Sequence, residues 1–218
     1  MTAEIRETAE PRSAYHHGSL RTALIDATMK ILATKRVEDF SVADAARALQ
    51  VSSGAPYRHF KDRDDLLSHV AARGFEELAE ATDRAGSRHP DGSLEGLIAA
   101  GCAYASFVAS RPELFHLMWG AERARTEHDV LLRDAVTCYD QFIAKLRQVM
   151  DAHGLGHLQA DEFGGPVWAM VHGFGSLLMG RTERTEADMQ AIYRQIDEAA
   201  RAYFLGRVAM ERSAKADA

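Results

Sequence analysis

Apolar residues at helical spacing run through nearly the whole chain and leave room for little except an all-α fold. Leu20, Ala23/Leu24, Ala27 and Ile31/Leu32 recur at i, i+3/4, i+7 and i+11/12, which puts them on one face of a 3.6-residue repeat. The cleanest stretch is 129–151, with Leu132, Ala135/Val136, Tyr139, Phe142/Ile143, Leu146 and Val149/Met150. Strand-type alternation and hairpin turn signals are missing. Further helices are predicted at about 93–109, 112–119, 161–180 and 185–208, giving about nine in all.

The interruptions divide the chain. A polar, flexible arm is predicted over 1–14, and Ser19 is placed to cap the first helix. A short connection, 35–40, leads to Ser41, which caps a second helix with Val42, Ala45/Ala46 and Leu49 inward. Gln50-Val51-Ser52 then turns the chain into a third short helix ending near Phe60. Asp62 stands where it would cap a longer helix carrying Leu67, Val70/Ala71, Phe75 and Leu78/Ala79. The GSRHPDG stretch, 86–92, reads as a loop. The predicted organisation is therefore an arm (1–14), a three-helix helix-turn-helix unit (15–62), a larger helical domain (63–210) and a frayed tail (211–218).

With 218 residues, one large domain or two modest ones can each bury a core. The longest apolar run, 166–178, is broken by His172, Gly173 and Gly175 and falls short of the roughly 18 residues a membrane span needs. There is no secretory h-region, and the chain reads as soluble and cytoplasmic. Cys102 and Cys138 form no CxxC pair and read as small buried residues. His153 and His157 are separated by Gly154 and Gly156 and argue for a loop. No metal or cofactor is expected.

The formal charge of −6 hides an asymmetry. From Arg12 to Arg63 nine lysines and arginines stand against five acids, a net +4, whereas residues 64–218 hold sixteen against twenty-four, a net −8. A positive module on an acidic body favours one orientation of approach to a polyanion.

The segment 41–60, SVADAARALQVSSGAPYRHF, is two helices too short to be stable alone, joined by a tight turn and held by Val42, Ala46, Leu49, Val51 and Phe60. What it leaves outward is small, polar or basic: Ser52, Ser53, Gly54, Ala55, Tyr57, Arg58 and His59, followed by Lys61 and Arg63. Small residues allow close approach of a helix N-terminus to phosphate, and the donors that follow suit a recognition helix in a major groove. Proline inside a helix costs about 3 kcal/mol, so Pro56 predicts a start at Ser52 or Ser53, which puts the proline at N3 or thereabouts. Tyr57 either packs against the first helix or meets phosphate.

These residues strongly resemble the tetracycline-repressor (TetR) family of bacterial regulators. The likeness covers about 20–78 and rests on Ser41-Val42, Ala45-Ala46, Leu49, Val51-Ser52, Gly54, Tyr57, His59-Phe60 and Leu66. Tyr15-His16-His17-Gly18 and the phrase from Ala55 to Phe60 look like one subgroup. Trp168 followed by His172-Gly173 resembles the WHG-type C-terminal domain of some members. The resemblance implies a homodimer formed by the last two helices and a double-stranded, palindromic DNA operator as partner. It assigns DNA contact to Ser41, Ser52, Ser53, Gly54, Ala55, Pro56, Tyr57, Arg58, His59, Lys61 and Arg63. The His16-His17 arm either touches the groove or backbone or stays free. Gln50 stands where the family usually has Gly, and a left-handed backbone there would cost about 1 kcal/mol. Arg63 replaces the usual Lys and keeps a charge that can clamp phosphate.

The 161–180 helix is apolar nearly all round and must be covered on every side, whereas 185–208 shows one stripe. Tyr104, Phe107, Met118, Trp119, Tyr139, Phe142, Trp168 and His172 are candidates to line an apolar effector pocket for a lipophilic small molecule. The alternative for each is ordinary core packing, and for Trp168/His172 a structural pair one turn apart. GxSxG, HExxH, Walker and GxGxxG motifs are missing, and Glu76/Glu77 read as solvated charges, so an enzyme is not expected. A helical ligand-binding or structural dimer without specific DNA binding is the competing reading.

Overall fold

The computed structural model of the chain describes residues 17–120, 129–179 and 185–216. The arm 1–14, Tyr15-His16 and the last two residues lie outside it. Among the described residues there are eight α-helices, one 3-10 turn and no strands: α1 (His17–Leu32), α2 (Val42–Ala48), the turn Pro56–Arg58, α3 (Arg63–Gly86), α4 (Leu94–Ser110), α5 (Pro112–Gly120), α6 (Asp129–Ala152), α7 (Ala160–Met179) and α8 (Glu186–Ala216). No described helix is long and apolar enough to cross a membrane.

Side-chain caps set several of these boundaries. The Asp62 carboxylate accepts from the Asp65 N–H (2.8 Å) and opens α3. Ser93 Oγ accepts from the Gly96 N–H (3.2 Å) and opens α4. Each satisfies one of the donors a helix start leaves orphaned. α1 begins at His17, two residues ahead of Ser19. α8 runs on to Ala216 through most of the stretch predicted as a tail, because its Ala, Met, Glu and Arg are all good helix formers.

The first two helices and the 3-10 turn form a small head. Leu24, Leu32, Phe40, Val42, Ala45 and Phe60 are buried together, and the Arg21 guanidinium lies 5.3 Å from the Phe60 ring centroid. Their cluster does not stop at residue 62. It continues along α3 through Leu66, Leu67, Val70, Phe75 and Leu78 and into Tyr104, Phe107, Phe115 and Met118 of α4 and α5. A second cluster fills the base, with Leu97, Leu146, Met150, Phe163 and Phe204 from α4, α6, α7 and α8.

Beyond α2 the chain turns by the hydrogen bonds Val51 N–H to Ala46 C=O (3.0 Å) and Gln50 N–H to Arg47 C=O (3.1 Å). The closing residue of such a helix end takes the left-handed conformation, and Gln50 does so at φ 56°. A side chain there carries a penalty of about 1–2 kcal/mol that glycine escapes, partly offset by the extra freedom glycine has when unfolded. Gln50→Gly is therefore expected to raise unfolding stability by about 0.5–1 kcal/mol, read from urea denaturation midpoints at unchanged slope.

Candidate nucleic-acid interface and ligand cavity

The head presents one outward edge. Ser41, Ser52, Ser53, Gly54, Tyr57, Arg58 and Lys61 are exposed, Tyr57 at 58%. Among the described residues the side chains of Arg58 and Lys61 have no acidic partner. Ala55 and His59 are half-buried, and Pro56 is buried. The proline ring is thus turned inward, and of this pair only Ala55 keeps part of its surface outward.

The second helix of the motif differs from its prediction. Only Pro56–Arg58 is helical, as a 3-10 turn with Ala55 as its N-cap residue. Proline has no N–H and a fixed φ, so it sits where neither matters, at the first helical position rather than the third. His59 N–H and Phe60 N–H both return to the Pro56 carbonyl, at 2.9 and 3.0 Å. One turn has almost no macrodipole, so the positive charge of this edge resides on the side chains of Arg58 and Lys61. A Cβ at Gly54 would meet nothing within 4 Å, and nothing inside the chain requires a glycine at this position.

Ser41 caps α2 through Asp44. Its N–H and hydroxyl donate to the Asp44 carboxylate at 3.0 and 2.9 Å, and Lys35 Nζ lies 2.7 Å away. The Lys35 hydrogen bond, then those from Ser41, hold the Asp44 carboxyl far below the usual carboxylate range. Arg63, anticipated as a phosphate clamp, is also engaged inside the protein. Its Nε donates to the Phe40 carbonyl (3.0 Å) and a terminal nitrogen donates to the Val37 carbonyl, so two of its donors hold the 35–40 connection onto α3. The same connection is held from the other side, where the Val37 N–H donates to the Glu113 carboxylate of α5 at 3.0 Å.

Inside the body a cavity of about 470 Å³ lies between α3, α4, α6, α7 and α8, with Trp119 of α5 in its wall. Of the anticipated pocket residues, Tyr104, Trp119, Tyr139, Phe142 and Trp168 line it. Phe107 and Met118 do not: both belong to the core that joins head and body, where Met118 fills the space a side chain on Gly74 would need. His172 stands behind the wall. It stacks on Trp168 with centroids 4.7 Å apart and shares a 2.8 Å hydrogen bond between Nδ1 and the Tyr104 hydroxyl. Trp119 closes this group, 5.5 Å from Trp168 and 5.1 Å from His172.

Sequence reasoning missed the α3 side of the cavity, Phe75, Leu78 and Thr82, and the polar Lys145 of α6. The signals were present. Phe75 and Leu78 continue one apolar stripe past the point where the head ends, with Thr82 a turn further on, and Lys145 interrupts the inward face of α6 beside Leu146. Cys138 also lines the cavity. Burial pushes its thiol up to about 11, so it is a small wall residue and not a nucleophile. Among the described residues no cluster of three His, Cys, Asp or Glu could hold a metal ion.

Burial also holds the His172 imidazole below its ordinary value of 6.5. The unfolded chain therefore takes up this proton first as pH falls, and the stability tied to neutral His172 is present above about 6.5 and lost below it. Between about pH 7.5 and 5.5 the thermal midpoint of His172→Gln is expected to fall less steeply than that of the parent protein, measured by circular dichroism.

Comparisons with known proteins agree with this geometry. The family model described as "Bacterial regulatory proteins, tetR family" matches residues 24–70, which is the head and the start of α3. The one described as "Tetracyclin repressor-like, C-terminal domain" matches residues 97–212, which holds most of the cavity wall. Among curated proteins no relative matches the chain. A solved protein of unknown function from Rhodococcus sp. RHA1 is similar at 26% identity and a TM-score of 0.75, over 89% of this chain and 98% of that one. The TetR family transcriptional regulator PfmR from Thermus thermophilus is similar at 22% identity and a TM-score of 0.55, over 83% and 94%. RolR, solved in complex with resorcinol, is similar at 17% identity and a TM-score of 0.59, over 86% and 94%. Regulators of this family bind DNA and small molecules, typically as dimers, and are generally not enzymes. With one family model over the head and another over more than half of the chain, the chain belongs to the TetR family and is a DNA-binding transcriptional regulator.

Proposed function

We propose that this regulator is a ligand-responsive repressor without catalytic activity. As a homodimer it reads a palindromic operator with the 52–61 edge of each head and releases it when a lipophilic molecule enters the body cavity. The observation that carries this reading is that one nine-residue helix touches both places. α5 puts Trp119 in the cavity wall at one end and the Glu113 carboxylate on the Val37 N–H of the head at the other. A ligand that favours a shifted α5 therefore favours a shifted head, by no more than its differential affinity for the two arrangements.

Dimerisation through α7 and α8 is supported by the apolar residues a single chain leaves in solvent, Leu177 at 70%, Leu205 at 61% and Met210 at 66%. A C₂ dimer would space two heads for half-sites about 34–36 Å apart or a multiple of it. For the heads, the exposed Arg58 is assigned to a base edge, Tyr57 and Lys61 to phosphate, and Ser53 and Gly54 to close backbone approach. His59 and Ala55 flank these contacts, and Arg63 supports them from behind. That RolR carries resorcinol fits a cavity of this kind in the same fold. The absence of a described membrane-crossing helix fits a cytoplasmic site of action.

The test begins with selection of bound sequences from random duplex DNA by the purified protein. It continues with titration of the selected site against lipophilic ligands. Specific binding should weaken steeply with salt, and a protein that recovers no common sequence refutes the reading. Arg58→Ala should lose about 1–3 kcal/mol of affinity for the selected site and discriminate less at one base position. With a ligand that releases the DNA, Glu113→Ala should bind that ligand unchanged yet retain operator affinity in its presence at least about fivefold better than the parent, measured by fluorescence anisotropy.

A further inference from the structure

We propose that Tyr104 is a positioning residue: its hydroxyl, joined to His172, fixes the setting of α5 and thereby of the head. Resting on the effector reading above, this adds the bond that an occupant of the cavity has to break.

Tyr104 of α4 lines the cavity yet is only 8% exposed, and its hydroxyl lies 2.8 Å from Nδ1 of His172 on α7. Burial holds the phenol well above its ordinary value, so the hydroxyl keeps its proton and the bond joins two neutral groups. On its other sides the His172 ring meets α5. Its centroid is 5.3 Å from that of Phe115 and 5.1 Å from that of Trp119, the latter edge-on at 84°. Tyr104 also meets Phe115 edge-on at 6.1 Å. Hydroxyl, imidazole and two α5 rings thus form one continuous contact. It runs from the cavity wall to the helix whose Glu113 carboxylate holds the Val37 N–H of the head.

Apolar burial alone does not select one setting of α5. Phe115 and Met118 are buried, but the gain from burying them is non-directional, and a small roll or slide of the helix retains it. A hydrogen bond is directional and weakens steeply once bent. The bond to Tyr104 fixes the edge and face that the imidazole offers to Phe115 and Trp119. An occupant pressing on Tyr104 bends it, and the released imidazole yields to the rings of α5.

The first test needs neither ligand nor operator. Tyr104→Phe keeps the ring and removes the hydroxyl, and amide hydrogen exchange of the intact protein reads each helix separately. Exchange across α5 and at the Val37 N–H is expected to quicken about fivefold, while the amides of Leu146 and Val149 in the core of the base keep their parent rates. His172→Phe removes the acceptor and keeps a ring. It should reproduce the effect, and adding Tyr104→Phe to it should change exchange no further. Acceleration shared equally by Leu146 and Val149 makes the hydroxyl an ordinary stabilising group and overturns the proposal, as does an unchanged Val37 amide or a pair of substitutions whose effects multiply. The second test uses the neutral fluorescent probe N-phenyl-1-naphthylamine. It should bind Tyr104→Phe about fivefold more tightly than the parent, because the bond no longer has to be broken. His172→Phe, which leaves the hydroxyl in the wall, should tighten binding equally. Tightening in Tyr104→Phe alone reports only a more apolar wall, and with unchanged binding in both it overturns the occupant's part. If the probe binds none of the three proteins, the effector reading falls and the exchange result alone decides the role of Tyr104.

Discussion

Burial of the inward face of α3 is the contact on which the rest of this molecule depends. Leu66, Leu67 and Val70 complete the core of the head, and Phe75 and Leu78, one to two turns further on, belong to the same buried cluster inside the body. A rigid α-helix with no break between these two sets cannot tilt at one end and stay still at the other. The head has too few apolar residues to be sturdy by itself, with α2 only seven residues long. It borrows order from the body, and the body's interior is correspondingly able to act on it.

Two polar fastenings refine that mechanical link. Arg63 and Glu113 grip the 35–40 connection from opposite sides, one through carbonyls and the other through an amide. Charge-assisted hydrogen bonds of this sort are stronger than neutral ones. They set the angle of the first two helices against α3 and α5. The aromatic group around Trp119, Trp168, Tyr104 and His172 sits at the far end of α5, so a change in cavity filling meets a short and stiff element rather than a loop.

Much of the fold was legible because its cause is local. Periodicity located α3, α4, α5 and α6 to within a residue or two, and Asp62 and Ser41 announced their helices by the chemistry of caps. Gln50 was legible as a left-handed residue because the turn demands one whatever the side chain. The failures have long-range causes. Pro56 was placed too deep in its helix, since nothing nearby says that the ring would be buried and the helix reduced to a turn. The hold of Arg63 on the carbonyls of Val37 and Phe40, more than twenty residues earlier, likewise has no local signal. In the cavity, five of eight anticipated residues line the wall. Phe107 and Met118 failed because an aromatic or methionine stripe gives no sign of which side of a helix faces space and which faces a neighbour.

The bareness of Gly54 and its surroundings has an evolutionary consequence. Gly54 touches nothing, and Ser52, Ser53, Tyr57 and Arg58 all project from the protein, so exchanges at these positions alter folding free energy by only about ±0.5 kcal/mol. On the proposed assignment of this edge to DNA, the addresses this regulator visits on a chromosome can drift by single substitutions while the scaffold and its interior chamber stay as they are. Duplicated copies could then diverge in the DNA they bind while their interiors stay alike.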